Sequence, residues 1–364
     1  MAITKKAVLK ALSNVQDPDL KQDLVTLNMI KNIKIESKKI SFEVVLTTPA
    51  CPLKEAIRKD CEKVLLETFD ATVAFSINMT SKVTTTNERG PLIPQVKNII
   101  AVASGKGGVG KSTTTANLAI ALAKTGAKVG IVDADIFGPS IPTMFNCENE
   151  KPAVKVVSGH NMIIPIEQYG VQLMSIGFLT PAEDAVVWRG PMASSALKQF
   201  ISDTKWNDLD YLLIDLPPGT SDIHLTLVQT IPVTGVVIVT TPQKVALADA
   251  QKGLAMFKQP KINVPILGIV ENMSFFTPEE FPNYKYFIFG EDGGTKFAKK
   301  NSLPLLGQIP IVQSIRESSD NGYPAVMTDG IIAKAYMELS AELARQVAIR
   351  NANMDKTKVI EVTI

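Results

Sequence analysis

Gly105-Lys106-Gly107-Gly108-Val109-Gly110-Lys111-Ser112-Thr113 follows the apolar run Asn98-Ile99-Ile100-Ala101-Val102-Ala103-Ser104 and precedes an Ala/Leu-rich segment of helical pattern. The order reads as strand, phosphate loop, helix. The spacing G-x-x-x-x-G-K-S/T is met by Gly105, Gly110, Lys111 and Ser112, and each residue type has a physical reason to stand there. Glycine carries no Cβ, so successive backbone N–H groups can turn inward and form a nest for an anion, with Gly107, Gly108 and Val109 completing it. The helix that begins near Lys111 adds unpaired N–H groups and the positive end of its dipole, which favours a polyphosphate. Lys111 is expected to reach the β- and γ-phosphates, the Ser112 hydroxyl to ligate Mg²⁺, and Thr113 to contact the α-phosphate. A glycine-rich turn without a ligand is the competing reading, and it does not account for the strand and helix on the correct sides.

Working outward, short apolar runs (Val129 to Val132, Tyr211 to Leu216, Val236 to Val239, Ile266 to Val270) alternate with helical patterns such as Ser112 to Thr125 and Val245 to Phe257. Such alternation predicts an α/β fold with a mainly parallel, doubly wound sheet, whose ligands bind at the carboxyl ends of the strands. The candidate chemistry falls at those ends. In Ile131-Val132-Asp133-Ala134-Asp135-Ile136-Phe137-Gly138-Pro139-Ser140, Asp135 is placed to position or deprotonate the attacking water while Asp133 holds the hydration shell of the metal. Tyr211-Leu212-Leu213-Ile214-Asp215-Leu216-Pro217-Pro218-Gly219 is an apolar strand ending in an acid. Asp215 fits the carboxylate that holds Mg²⁺, and the Gly219 N–H is a candidate sensor of the γ-phosphate.

The two-lysine loop, with Lys106 beside the first glycine, resembles the deviant Walker A box of the MinD/Mrp group of P-loop ATPases. That resemblance implies a homodimer in which Lys106 reaches the partner's nucleotide and joins Lys111 and Asp135 in catalysis. The D-x-D-x-x-G-P-S run and the D-x-P-P-G run are similar to the two switches of the Mrp/ApbC branch. In that branch an asparagine in the position of Asn272, within Glu271-Asn272-Met273-Ser274, recognises the adenine base. Trp188-Arg189 and Ile315-Arg316-Glu317 also resemble family segments, without a role that the residues themselves suggest.

Residues 1–80 read as a small α+β domain. Lys5 to Asn14 has helical spacing, Ile40 to Leu46 and Val73 to Met79 alternate, and Pro52 to Phe69 carries Leu53, Ile57, Cys61, Val64 and Leu65 on one stripe. Proline in first position would start that helix and set Cys51 at its N-terminus, where a thiol is expected to be exposed and to have a lowered pKa. A core thiol is the alternative. The T-x-P-x-C-P-L run Thr47-Thr48-Pro49-Ala50-Cys51-Pro52-Leu53 resembles the N-terminal domain fused to many Mrp/ApbC proteins and found alone in iron–sulfur assembly factors. Residues 81–97 read as a linker, 98–350 as the ATPase domain and 351–364 as a C-terminal tail. The stripe Ile331, Ile332, Ala335, Leu339, Leu343 and Val347 is expected to pack on the sheet.

Composition excludes several classes. Lys+Arg 38 against Asp+Glu 36 leaves a net charge of +2, too small a field for a nucleic-acid partner. No apolar stretch is long enough for a membrane span, and the N-terminus lacks the pattern of a signal peptide, so a cytoplasmic protein without a membrane partner is expected. His160 and His224 are isolated and read as structural.

One family element is missing. Many Mrp/ApbC members carry a C-x-x-C pair after the N-M-S run, and two such pairs across a dimer supply four thiolates to a cluster. Here Phe275 to Gly290 holds no cysteine and is instead rich in aromatics. The resemblance still implies an ATPase with ATP and Mg²⁺ that carries an iron–sulfur cluster, of 4Fe–4S type, to apoproteins, with Cys51 as the candidate ligand. Two alternatives stay open: a MinD/ParA-like positioning ATPase, and a nucleotide-switched interaction protein that has lost cluster binding.

Overall fold

The computed structural model describes residues 3–69, 72–86, 92–157, 159–179, 190–278, 281 and 284–360. Trp188, Arg189, part of the linker (87–91), part of the aromatic stretch and residues 361–364 lie outside them. The chain divides into two units, one of residues Met1–Thr84 with Ala344–Met354, the other of Thr85–Leu343 with Asp355–Ile364.

In the first unit, α1 (Lys5–Leu12) is capped by Thr4, whose hydroxyl accepts the Ala7 N–H at 3.2 Å. Two short paired segments, β1 (Gln16–Asp17) and β2 (Gln22–Asp23), precede β3 (Ile30–Glu36), β4 (Lys39–Leu46), α2 (Lys54–Thr68) and β5 (Ala74–Ser81). β3 runs antiparallel to β4 and β4 parallel to β5, so α2 serves as the crossover. The alternation of β4 sends Ile40, Phe42, Val44 and Leu46 into a core that also holds Ile57, Cys61 and Leu65 of α2. Truncating Ile57 or Leu65 to alanine is expected to cost about 2–5 kcal/mol. The helix starts two residues later than the sequence predicts: Leu53 is its N-cap, and Pro52 lies outside it. β3 escaped the sequence reading because its alternation is carried by lysines as well as isoleucines.

The second unit is built on an eight-stranded sheet. Its elements are β6 (Val96–Ser104), α3 (Lys111–Lys124), β7 (Val129–Asp133), α4 (Ile141–Met144), the hairpin β8 (Val154–Val157) and β9 (His160–Ile163), β10 (Ile166–Gln168), β11 (Val171–Ser175) and α5 (Gly190–Asp203). There follow β12 (Leu209–Asp215), α6 (Asp222–Thr230), β13 (Gly235–Thr240), α7 (Lys244–Phe257), β14 (Ile266–Phe276), α8 (Gly293–Lys300), β15 (Leu305–Ile311), α9 (Gln313–Asp320) and α10 (Ile331–Asn353), of which the residues from Ala344 onward belong to the first unit. The strand order is β10-β11-β7-β12-β6-β13-β14-β15, and every pairing except β10 with β11 is parallel. The central strands are apolar on both faces because helices cover both, which is why they read as continuous runs rather than as alternations.

The C-terminal stripe needs one correction. Ile331 is 68% exposed, whereas Tyr336, Leu339, Leu343 and Val347 are buried. The predicted tether and tail are also partly held: Thr85 donates its hydroxyl to Lys97 O at 2.6 Å, and the Thr357 N–H reaches Thr86 O at 3.2 Å. Among the described residues no helix is long and apolar enough to cross a membrane.

Candidate functional site

β6 ends at Ser104 and α3 begins at Lys111, so residues 105–110 form a loop at the carboxyl end of a central strand. Gly110 caps α3 in the left-handed region, with φ +79°, and a Cβ there would lie 2.2 Å from Asn272 Nδ2. Only glycine fits. Gly105 is equally constrained, because its Cβ would sit 2.1 Å from the backbone of Asp249. Hydrogen bonding within α3 starts with the Thr114 N–H on Gly110 O at 2.9 Å, which leaves the N–H groups of Lys111, Ser112 and Thr113 without helical partners.

Lys111 is buried, and its ammonium lies 2.7 Å from Asp215 Oδ2 and 3.7 Å from Asp135 Oδ2. Asp215 ends β12 and is the hub of the site: it also accepts from the Ser112 hydroxyl at 2.6 Å and from the Thr115 hydroxyl at 2.7 Å. β7 pairs with β12 so that Asp133 and Asp215 are register partners. Asp133 is fully buried and accepts from Ser175 Oγ at 3.1 Å and from the Ile141 and Asp135 N–H groups at 3.2 Å. Burial, reinforced by the Asp215 charge and opposed by Lys111, pushes its carboxyl up to about 7. Burial also raises Asp135, against the pull of Lys111. One ammonium thus faces Asp133, Asp135 and Asp215, and burial disfavours the charged forms of Asp133 and Asp135, so a divalent cation would favour their ionised forms.

Thr115 and Ser175 were missed by motif reading. Thr115 sits one helical turn beyond Lys111, a spacing that could have flagged it. Ser175 is brought in by the pairing of β11 with β7, which no local pattern announces.

Several predicted residues behave differently from expectation. The Gly219 N–H is not turned to the loop for a phosphate: it donates to Ser104 O at 2.8 Å, with φ +81° at Gly219. Asn272 is buried and gives its Nδ2 to Val109 O at 2.8 Å, so that half of the amide is committed to the phosphate loop. Lys106 is half-buried and has no side-chain partner among the described residues. Cys51 is half-buried, and its thiol is raised, not lowered, by burial and by the Asp17 and Asp19 charges. Burial is the physical reason: it outweighs the lowering by the Leu53 and Lys54 N–H groups at the start of α2. Cys61 and Cys147 are buried and pushed up to about 12 by desolvation. Arg316 forms exposed ion pairs with Glu317 and Asp320. His160 is exposed, and His224 is buried on Ser221. Among the described residues no group of three or more His, Cys, Asp or Glu could hold a metal by itself.

Comparison with known proteins agrees with this geometry. Residues 95–347 match the family model described as NUBPL iron-transfer P-loop NTPase, and residues 5–75 match that of an iron–sulfur cluster assembly protein. An iron–sulfur cluster carrier protein of Synechocystis sp. is 45% identical over 354 residues, covering 95% of this chain and 99% of the relative. One from Escherichia coli is 46% identical over 345 residues, covering 93% and 91%. Among solved structures, a nucleotide-binding protein of Archaeoglobus fulgidus in complex with ADP is 39% identical, with a TM-score of 0.55 over 63% of this chain and 88% of that one. The chain therefore belongs to the NUBPL iron-transfer P-loop NTPase family, with an iron–sulfur cluster assembly domain ahead of its nucleotide fold.

Proposed function

We propose that this protein binds and hydrolyses ATP and carries iron–sulfur clusters to apoproteins, working as a cytoplasmic homodimer. The observation that carries the reading is the convergence of Lys111, Thr115 and the half-buried Ser112 on the buried Asp215 at the mouth of the 105–110 loop. Hydroxyl and carboxylate oxygens too few to cage an ion suit Mg²⁺, which keeps waters and shares phosphate oxygens. Ser112 and Asp215 would hold that ion, with Asp133 behind its waters. When bound, Mg²⁺ neutralises charge developing on the transferred phosphoryl group.

The loop amides and Lys111 orient the triphosphate, and Asp135, at the open side of Lys111, orients the attacking water. Lys106, free of side-chain partners among the described residues, is available to a nucleotide in a second copy. Lys106→Ala should therefore leave ATP affinity within about threefold and lower turnover and dimerisation, read by calorimetry and light scattering. Equal turnover would remove it from catalysis.

For the cluster as cargo, Cys51 is the one thiol of three that is not buried. Two copies give two thiolates, so external thiols must complete a four-thiolate set. Anaerobic reconstitution with iron and sulfide tests this. Wild type should retain both and pass them to an apoprotein in an ATP-dependent way, and Cys51→Ser should retain far less. Equal loading of the two proteins would exclude Cys51. No loading of either would favour the second reading, a nucleotide-switched interaction protein, which the absence of a C-x-x-C pair supports.

A further inference from the structure

Asn272 and Met273 are consecutive on β14, so a regular strand would send their side chains to opposite faces. Here both meet the same glycine. A Cβ on Gly110 would lie 2.2 Å from Asn272 Nδ2 and 3.9 Å from Met273 Cε. The reason is backbone conformation: Met273 has φ +55°, in the left-handed region that a bulky side chain rarely enters. The ladder records the same irregularity. Asn272 pairs with Ile309 and Phe276 with Ile311, so β14 spends four steps where β15 spends two.

Such a bulge re-aims side chains, and strain of this kind persists only where its surroundings over-determine it. The surroundings are on hand. Ser274 Oγ donates to Glu271 O at 2.7 Å, closing the turn across Met273. Glu271, fully buried, anchors the other side by accepting the Gly294 N–H of α8 and the Gln308 amide. Asn272 Nδ2, thus held, bonds Val109 O at 2.8 Å. That carbonyl belongs to the residue just before the left-handed Gly110, where the loop must turn for its N–H groups to converge.

We propose that Asn272 is a positioning residue that clamps the phosphate loop at Val109, just before Gly110, its aim set by the left-handed backbone turn at Met273. The proposal rests on residues 105–113 being the nucleotide site and gives Asn272 a role that does not depend on the base. A clamp acts on the phosphate cradle, so its loss is felt by every polyphosphate alike, whereas loss of a base contact is felt by one base.

The test is calorimetry of the full chain with Mg·ATP, Mg·GTP and Mg·tripolyphosphate. Asn272→Ala is expected to weaken all of them by a similar factor, about tenfold, the loss of one hydrogen bond that leaves a buried carbonyl unpaired, with the ratio of ATP to GTP affinity unchanged. Asn272→Asp keeps the shape but turns an acceptor toward the Val109 carbonyl, and should lose at least as much; it gives the reading if the alanine variant fails to fold. Met273→Gly, which adopts positive φ without strain, should stay within about threefold of wild type. Met273→Val, which resists that conformation, should fall with Asn272→Ala. A selective loss of ATP with tripolyphosphate binding intact, or wild-type binding by Met273→Val, overturns the clamp. Wild type that binds no Mg·ATP overturns the nucleotide reading instead.

Discussion

Lys111 Nζ and Asp215 Oδ2 lie 2.7 Å apart, with the lysine side chain 6% exposed and the aspartate not at all. The pair joins the first residue of α3 to the last residue of β12, so the loop between β6 and α3 is tied to the neighbouring strand through charge as well as through the backbone. Removing one partner of a buried ion pair leaves the other desolvated and uncompensated, which costs about 3–5 kcal/mol.

Lys111→Ala should therefore lose both tight ATP binding and stability. The double variant Lys111→Ala with Asp215→Asn, which removes both charges, should regain most of the stability and none of the binding. Chemical denaturation and calorimetry on the same samples separate the two effects; a single variant as stable as wild type would contradict the burial of the pair.

Asp135 stands 3.7 Å from the Lys111 ammonium and is only half-buried, on the side of the cluster open to solvent. Asp135→Asn keeps the side-chain volume and removes the negative charge. ATP affinity should stay within about threefold while turnover falls by about 100-fold or more, the scale of a positioned acid–base group. Unchanged single-turnover hydrolysis would take Asp135 out of the mechanism.

Thr115 reaches Asp215 Oδ1 at 2.7 Å while Ser112 and Lys111 occupy Oδ2. The hydroxyl fixes the rotation of the carboxylate, and a hydrogen bond to a charged group contributes about 1.5–3 kcal/mol. Thr115→Val should raise the Mg²⁺ concentration for half-maximal ATPase activity roughly tenfold or more, whereas Thr115→Ser should restore it. A magnesium titration of activity that is the same for all three proteins would leave Thr115 a packing residue.

His224 gives a pH signature. Its Nδ1 accepts the Ser221 N–H at 3.2 Å, and burial lowers its pKa from 6.5 to about 4. A histidine whose folded pKa is depressed contributes stability that is complete above the unfolded value and is lost as pH falls through the window from 6.5 to about 4. The integrated effect is on the order of 3 kcal/mol. His224→Gln supplies a neutral residue of the type that commonly closes such a capping box, so thermal unfolding of that variant should fall less steeply over the same window. Parallel curves for variant and wild type would show that His224 is not the titrating group.

The nucleotide fold was legible because its signals are local. The loop 105–113 needs glycines and a lysine at fixed spacing, and the strand that leads into it must be apolar throughout because helices cover both faces of the sheet. Asp133 and Asp215 could be singled out as strand-terminal acids on the same grounds. The register that makes them neighbours was not visible, because pairing across β7 and β12 is set by the packing of residues some eighty positions apart.

Where the reading of Cys51 went astray, the error was also one of context. A proline after a strand predicts a helix start, but α2 begins at Lys54, and the nearness of Asp17 and Asp19 to the thiol comes from tertiary folding. Asn272 shows the converse. The family resemblance marked it as a recognition residue, and the left-handed Met273 that follows decides which part of the site its amide reaches.

The sequence by itself determined that a glycine-rich loop with a lysine follows a central strand, that acids close two later strands, and that a small domain precedes them. Those features depend on backbone freedom, spacing and hydrophobic pattern over short stretches, which the chain carries residue by residue. Only the tertiary structure decided that Lys111, Ser112 and Thr115 converge on one aspartate, that Gly219 is held by Ser104, and that Cys51 sits half-buried among acids. Burial and long-range hydrogen bonds set those outcomes, and neither exists until distant segments are packed together.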